Sequence, residues 1–268
     1  MPRLLALTVL AAIASGCSST EKPPPSNLGK IIACTMKVQG EWGFWLIYTQ
    51  DGLQKRIAGC TDPGPDWSPD GNEVSWSDGT KVRIMRLDGR EPRALAGGPG
   101  WAPTWSPDGK SIAFGTLNSI QSREVDGANA RVWTVADVAC EHPTWSPNGL
   151  QLAVTDSRGD LVITDGKSEK RFPLNGARHP DWSPDGKRIL LDAPDGAIRA
   201  FMVESGEIVA VGNARGSDPS WLRDGKSFLT VWLGSGDEAP SVYEWDAEGR
   251  LGTRLTSRDE VRDAAGNW

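Results

Sequence analysis

The sequence predicts an all-β fold, a six-bladed β-propeller of four-stranded antiparallel meanders, and three observations predict it. Tryptophans recur at Trp67, Trp105, Trp145, Trp182, Trp221 and Trp268, with gaps of 38, 40, 37, 39 and 47 residues, a period at which each unit is one small sheet of a radial array. Five of them open a shared pentapeptide: WSPDG at 67–71, 105–109 and 182–186, WSPNG at 145–149 and the degenerate WLRDG at 221–225. A second family of turns comes later in each unit, at Asp51-Gly52, Asp88-Gly89, Asp126-Gly127, Asp165-Gly166, Ser205-Gly206 and Glu248-Gly249.

In each pentapeptide proline presets φ, Asp or Asn tolerates the turn, and glycine takes the positive φ of a tight reversal, so the segment reads strand, turn, strand. Apolar residues then stand seven and nine positions after each tryptophan: Val74 and Trp76, Ile112 and Phe114, Leu152 and Val154, Ile189 and Leu191, Phe228 and, with a polar exception, Thr230. That alternation at fixed register buries one face of the second strand. The Asp-Gly pairs are hairpin signals between the outer strands.

The chain ends share one unit. Ser26-Asn27-Leu28-Gly29-Lys30, with Ile32 and Cys34 beyond, matches the turn and strand that come after a tryptophan elsewhere, and the tryptophan it lacks is Trp268. The expected closing strand is therefore Val261–Trp268, completing a blade whose other three strands come from residues 29–60. Such closure leaves no open sheet edge.

These units resemble the WD-like repeats of the TolB family of six-bladed propellers, whose consensus runs close to P-x-W-S-P-D-G-K before an apolar strand. The resemblance covers residues 26–268 and implies the fold. It also implies docking of protein partners through the propeller. The family's namesake has an additional amino-terminal α/β domain for which these residues leave no room, so roles that need that domain are not carried over. The same propeller hosts binding proteins and enzymes alike.

Residues 1–16 read as a lipoprotein signal peptide: Arg3, then an apolar run from Leu4 to Ile13, too short for a bilayer span. Ala14-Ser15-Gly16-Cys17 resembles a bacterial lipobox, which makes Cys17 the expected lipidation site. Residues 17–25 are polar and proline-rich, a flexible tether, and 26–268 are the propeller. Serine after Cys17 fits an outer-membrane anchor facing the periplasm, hence a cell-envelope location.

The formal charge is −6, with no basic cluster, which argues against nucleic acid as a partner. Neither a long amphipathic helical pattern nor a Cys-x-x-Cys motif occurs. Beside Cys17 there are Cys34, Cys60 and Cys140, whose pairing is not legible; Cys34 aligns with the core position held by Trp76 and Phe114. No cofactor is expected, and the disc is expected to be a monomer.

Inner strands line a propeller's channel, so the residues just before the tryptophans, Asp66, Thr104, Thr144, Asp181, Ser220 and Asn267, are expected to form a hydrated binding wall. Three places before the tryptophans stand Gly64, Ala102, His142, His179, Asp218 and Ala265. The two histidines of the chain thus hold equivalent places in successive units, with an aspartate at the next. They are read as part of a polar binding rim, as polar residues simply tolerated before proline at the channel mouth, where they bond to water or backbone, or more weakly as a divalent-metal site. Asp66 and Asp181 as an acid-base pair is a weaker reading still, since a water-filled channel would perturb them little. The turn aspartates Asp70, Asp108 and Asp185 lack the clustered oxygens that calcium requires and are read as turn formers. No G-x-S-x-G occurs. Two functions compete: a lipid-anchored binding or scaffold module for an envelope protein, a peptide or a glycan, and a metal-assisted lyase or hydrolase acting on a glycan in the channel.

Overall fold

The computed structural model describes residues 64–86, 91–95, 97–117, 119–133, 140–232 and 241–255, with the backbone of an amino-terminal sheet at 8–12, 31–38, 41–48 and 54–59. That sheet comprises β1 (Thr8–Ala12), β2 (Ile31–Val38), β3 (Glu41–Tyr48) and β4 (Gln54–Gly59). Five blades follow, each a four-stranded antiparallel meander. They are β5 (Asp66–Trp67), β6 (Glu73–Ser77), β7 (Val82–Arg86), β8 (Arg93–Ala94); β9 (Trp101–Trp105), β10 (Ser111–Thr116), β11 (Ser119–Glu124), β12 (Ala130–Trp133); and β13 (Cys140–Trp145), β14 (Leu152–Asp156), β15 (Leu161–Thr164), β16 (Glu169–Phe172). The last two are β17 (Arg178–Trp182), β18 (Arg188–Asp192), β19 (Ala197–Met202), β20 (Ile208–Arg215), and β21 (Ser217–Trp221), β22 (Ser227–Trp232), β23 (Ser241–Asp246), β24 (Gly252–Arg254). The all-β propeller read from the repeat is thus present.

The pentapeptides make the inner turns as their composition requires. The Ser68 hydroxyl donates to Asp70 Oδ1 and accepts from the Glu73 N–H, while the Gly71 N–H closes onto the Ser68 carbonyl with φ of 73° at the glycine. Ser106 with Asp108, Ser146 with Asn148 and Ser183 with Asp185 repeat the same hydroxyl bond. Turn chemistry therefore accounts for these aspartates.

The core lies between blades. Trp67, Trp105, Trp145, Trp182 and Trp221 are all buried, and each packs in a cluster that includes strands of the preceding sheet: Trp105 with Val82 and Ile84, Trp145 with Ile120 and Trp133, Trp182 with Leu161 and Ile163. Each indole removes some 200 Å² from water, worth about 5 kcal/mol. The Nε1 atoms of Trp67, Trp105, Trp182 and Trp221 have no hydrogen-bond partner, so tryptophan is used here for area. The residues seven and nine places on, Val74 through Thr230, are buried as the alternation requires.

One expectation changes at the chain ends. In the structure the strand that pairs with β2 is β1, residues Thr8–Ala12, from the segment read as a leader. The sequence TVLAA is largely apolar and free of proline and glycine, and the bare edge of β2 offers it a full ladder of backbone partners. Val261–Trp268, the expected closing strand, lies outside the described residues, as do Cys17, Cys60 and Asn267.

Candidate binding site at the channel mouth

The inner strands succeed one another around a central channel, β5 beside β9, β9 beside β13, β13 beside β17 and β17 beside β21. Their tryptophan ends are tied from blade to blade. Asp66 Oδ2 accepts the backbone N–H of Trp105 at 2.7 Å, and Asp181 Oδ2 accepts that of Trp221 at 2.7 Å. Thr144 Oγ1 lies 3.2 Å from Asp181 Oδ1, to which it donates, and 3.5 Å from the Trp182 nitrogen. Burial pushes the Asp66 carboxyl up to about 6, against hydrogen bonds from Trp105 and Thr104 that oppose the rise. Burial likewise pushes Asp181 up to about 7, and the Asp66 charge adds to it.

Two residues earlier the backbone does something unusual. Ala102, His142, His179 and Asp218 have φ of 46°, 51°, 48° and 51°, with Gly64 at 119° in the equivalent place. Each precedes a proline, Pro65, Pro103, Pro143, Pro180 or Pro219. Around them the pairing of inner strand with second strand slips, between Glu141 and Thr144, Arg178 and Asp181, and Ser217 and Ser220. Bulges of this kind re-aim side chains, and here they turn the residue before each proline toward one cavity. It has a volume of about 80 Å³ and is lined by these residues with Asp66, Thr104, Thr144 and Asp181. At about 30 Å³ per water that is room for two or three waters.

The charged centre of this cavity is His179. Its Nδ1 is 2.7 Å from Asp192 Oδ1 and its Nε2 3.3 Å from Asp218 Oδ1. Burial disfavours the imidazolium, but the Asp218 charge and the Asp192 hydrogen bond outweigh it and raise the histidine to about 9. His179 is therefore a cation at neutral pH, clamped between carboxylates from β18 and β21. The His142 ring meets it edge-on, with centroids 4.3 Å apart. Burial, then the His179 and Arg178 charges, hold His142 well below its usual range. A neutral imidazole beside an imidazolium is the result.

A further contact sits at the degenerate repeat. Arg223 takes the place that proline holds in the other pentapeptides, and its guanidinium donates to the carbonyls of Ser68 and Pro69 in the turn after β5. Elsewhere the turn glycines Gly109, Gly149, Gly186 and Gly225 each lie beside the proline of the preceding turn.

No protein-family model matches the chain, nor does any curated protein. Solved structures do. The putative TolB from Agrobacterium tumefaciens matches with a TM-score of 0.63 at 21% identity, over 76% of this chain and 84% of that one. The fold is that of a TolB-like propeller. TolB from Acinetobacter baumannii matches with a TM-score of 0.59 at 17% identity, over 93% of this chain and 69% of that one. The nidogen/laminin complex matches at 0.59 and 14%, over 75% and 78%. At such identities the likeness is one of fold.

Two groups of the expected rim residues line the cavity. His142, His179 and Asp218 are brought together at the cavity. Asp66, Thr104, Thr144 and Asp181 also line it, but Asp66, Thr144 and Asp181 are already engaged with backbone or side chains of neighbouring blades, which makes them latches first. Ser220 is buried at the end of β21. The expectation of little perturbation at Asp66 and Asp181 is corrected, since enclosure raises both. The weak metal reading finds no support in the geometry: both nitrogens of His179 face carboxylates, and among the described residues no group of three or more His, Cys, Asp or Glu is arranged to hold an ion.

Sequence reasoning missed Asp192. A signal existed: ten places after the tryptophans stand Ser77, Gly115, Thr155, Asp192 and Val231, and only one of these is charged.

Proposed function

We propose that the chain is an extracytoplasmic binding module, a six-bladed wheel closed by Val261–Trp268, anchored through lipid on Cys17 at the outer membrane and facing the periplasm. It holds an envelope protein, or a peptide segment of one, at the mouth of its channel, and it acts as a monomer. Residues 1–16 are the cleaved leader and 17–25 the tether.

One observation carries the binding reading. Four non-glycine residues in left-handed conformation, at a cost of about 1–2 kcal/mol each, converge on a single cavity that also holds a charged and a neutral histidine. Strained backbone clusters at ligand clamps and active sites, and polar groups convergent on one cavity are the ordinary mark of a binding site. The TolB-like fold and the lipobox-like Ala14-Ser15-Gly16-Cys17 support the envelope setting.

A photoreactive amino acid at position 142 tests the reading in intact cells, with position 167, exposed in the β15–β16 turn, as control. A discrete adduct from 142 that is absent from 167 is expected. No adduct from 142, or the same adduct from both positions, overturns it.

A further inference from the structure

The cavity at the channel mouth is poor in hydrogen-bond donors and rich in acceptors. Pro65, Pro103, Pro143, Pro180 and Pro219 all line it, and a proline has no backbone N–H to offer. The side-chain donors are engaged within the wall. His179 turns Nδ1 to Asp192 and Nε2 to Asp218, Thr144 donates to Asp181, and the Thr104 hydroxyl bonds to Asp66. The neutral His142 ring, edge-on to His179, contributes one donor and one acceptor nitrogen. An ionised carboxylate has about four acceptor positions, and Asp181 fills two of them, with the Trp221 N–H and the Thr144 hydroxyl.

Charge runs the same way. Three lining side chains are carboxylates, Asp66, Asp181 and Asp218, and one, His179, is a cation already flanked by Asp192 and Asp218. Arg178, exposed at the start of β17, acts on the two histidines. Arg223 acts on Asp66, whereas burial at Asp181 is opposed by hydrogen bonds from Trp221 and Thr144. The Asp66 charge reaches Asp181 as well, so the two carboxylates address one space. Buried carboxylates are ordinarily paired with a cation, and among the described residues Asp181 is held by hydrogen bonds without an ion pair. At about 80 Å³ the space admits a small head group and not a folded element.

We propose, taking the cavity as the recognition site, that it seats a primary ammonium group of the bound partner, a lysine head or a free amino terminus, against Asp181 and Asp66. An ammonium brings three donors and no acceptor, the complement of this wall. An incoming carboxylate would meet acceptors. The prolines give the methylenes behind a lysine head an apolar lining.

Nitrogen-detected NMR of the purified full chain tests it, in an amine-free buffer at a pH above the Asp181 value of about 7. The ring signals of His142 are followed during titration with Nα-acetyl-lysine methylamide, the same molecule acetylated at Nε, glycylglycinamide and sodium acetate. Saturable movement with at least one of the two free amines, and none with the Nε-acetylated molecule or with acetate, is expected. Response to Nα-acetyl-lysine methylamide assigns the site to a lysine side chain, and response to glycylglycinamide alone assigns it to an amino terminus. Asp181→Asn, which keeps an oxygen for the Trp221 N–H, should weaken the amine about tenfold, and Asp126→Asn, in the exposed β11–β12 turn, should not.

Equal movement with both lysine derivatives, movement with acetate alone, no movement with either amine, or an amine affinity indifferent to Asp181→Asn overturns the ammonium inference. Should Asp181→Asn fold poorly, the two lysine derivatives on the unaltered chain decide. A discrete adduct from position 142 beside any of these failures leaves the recognition reading standing, and loss of that adduct removes the recognition reading itself.

Discussion

The Asp181 carboxylate accepts the backbone N–H of Trp221, forty residues further along and one blade away, at 2.7 Å. Asp66 does the same for Trp105. An inner strand leaves such an N–H facing a neighbouring blade, and a carboxylate placed just before the neighbour's tryptophan satisfies it. These two aspartates hold blades in register.

Replacing Asp181 by alanine orphans the buried Trp221 N–H, so a loss of about 1–3 kcal/mol is expected in urea denaturation. Asp181→Asn keeps an oxygen acceptor and should lose less than half of that. Equal losses would show that the latch is not the hydrogen bond.

The raised carboxyls set a pH dependence whose sign is opposite to that of an ordinary paired aspartate. With folded values of about 6 for Asp66 and about 7 for Asp181 against 3.8 unfolded, the folded protein binds more protons between these limits. Their contribution is complete below about pH 4 and is lost as pH rises through 6 and 7. Asp108 and Asp185, held down first by the Ser106 and Ser183 hydroxyls, act the other way and lose their contribution as pH falls below the usual carboxylate range. Stability should therefore peak on the acid side of neutrality. Tm measured from pH 4 to 8 should fall toward pH 8, and Asp66→Asn with Asp181→Asn should flatten the decline.

The chain has two histidines, so nitrogen-detected NMR can follow both without assignment ambiguity once one is replaced. His179 should remain an imidazolium at pH 7.5 and titrate near 9, and His142 should remain neutral throughout. The His179 contribution to stability is present below pH 6.5 and lost as pH rises through about 9. Asp218→Asn removes the largest charge that favours the cation and should lower the His179 titration. An unmoved titration would mean that Asp218 is not its counter-ion.

Ala102 is buried with φ of 46°, and the preceding blade has Gly64 in its place. Ala102→Gly should stabilise the protein by up to about 1 kcal/mol, the left-handed penalty less the backbone entropy of glycine. Destabilisation would mean that the methyl group contributes packing at the mouth that outweighs the strain.

Local features were the legible ones. The Ser-Pro-Asp-Gly turns and the alternation from Val74 to Phe228 are encoded within ten residues of each tryptophan, and the structure reproduces them. The candidate trio His142, His179 and Asp218 was legible because the repeat aligns residues that the fold brings together. What escaped depends on pairings the linear pattern does not display. Asp192 reaches His179 only because β18 pairs with a bulged β17, and Asp66 and Asp181 find their N–H partners a full repeat away. Their raised titration comes from enclosure, which no spacing reveals. The strand against β2 escaped for a different reason: Thr8–Ala12 lies in a segment read as a leader, and its short apolar run carries no mark of the edge it pairs with.

Binding at the channel mouth is tested most directly by calorimetry of purified residues 26–268 with the partner recovered through position 142. His142→Ala should weaken Kd at least tenfold, a change of about 1.4 kcal/mol, while Lys167→Ala leaves it unchanged. A Kd indifferent to His142→Ala, with Tm retained, would contradict recognition at that opening.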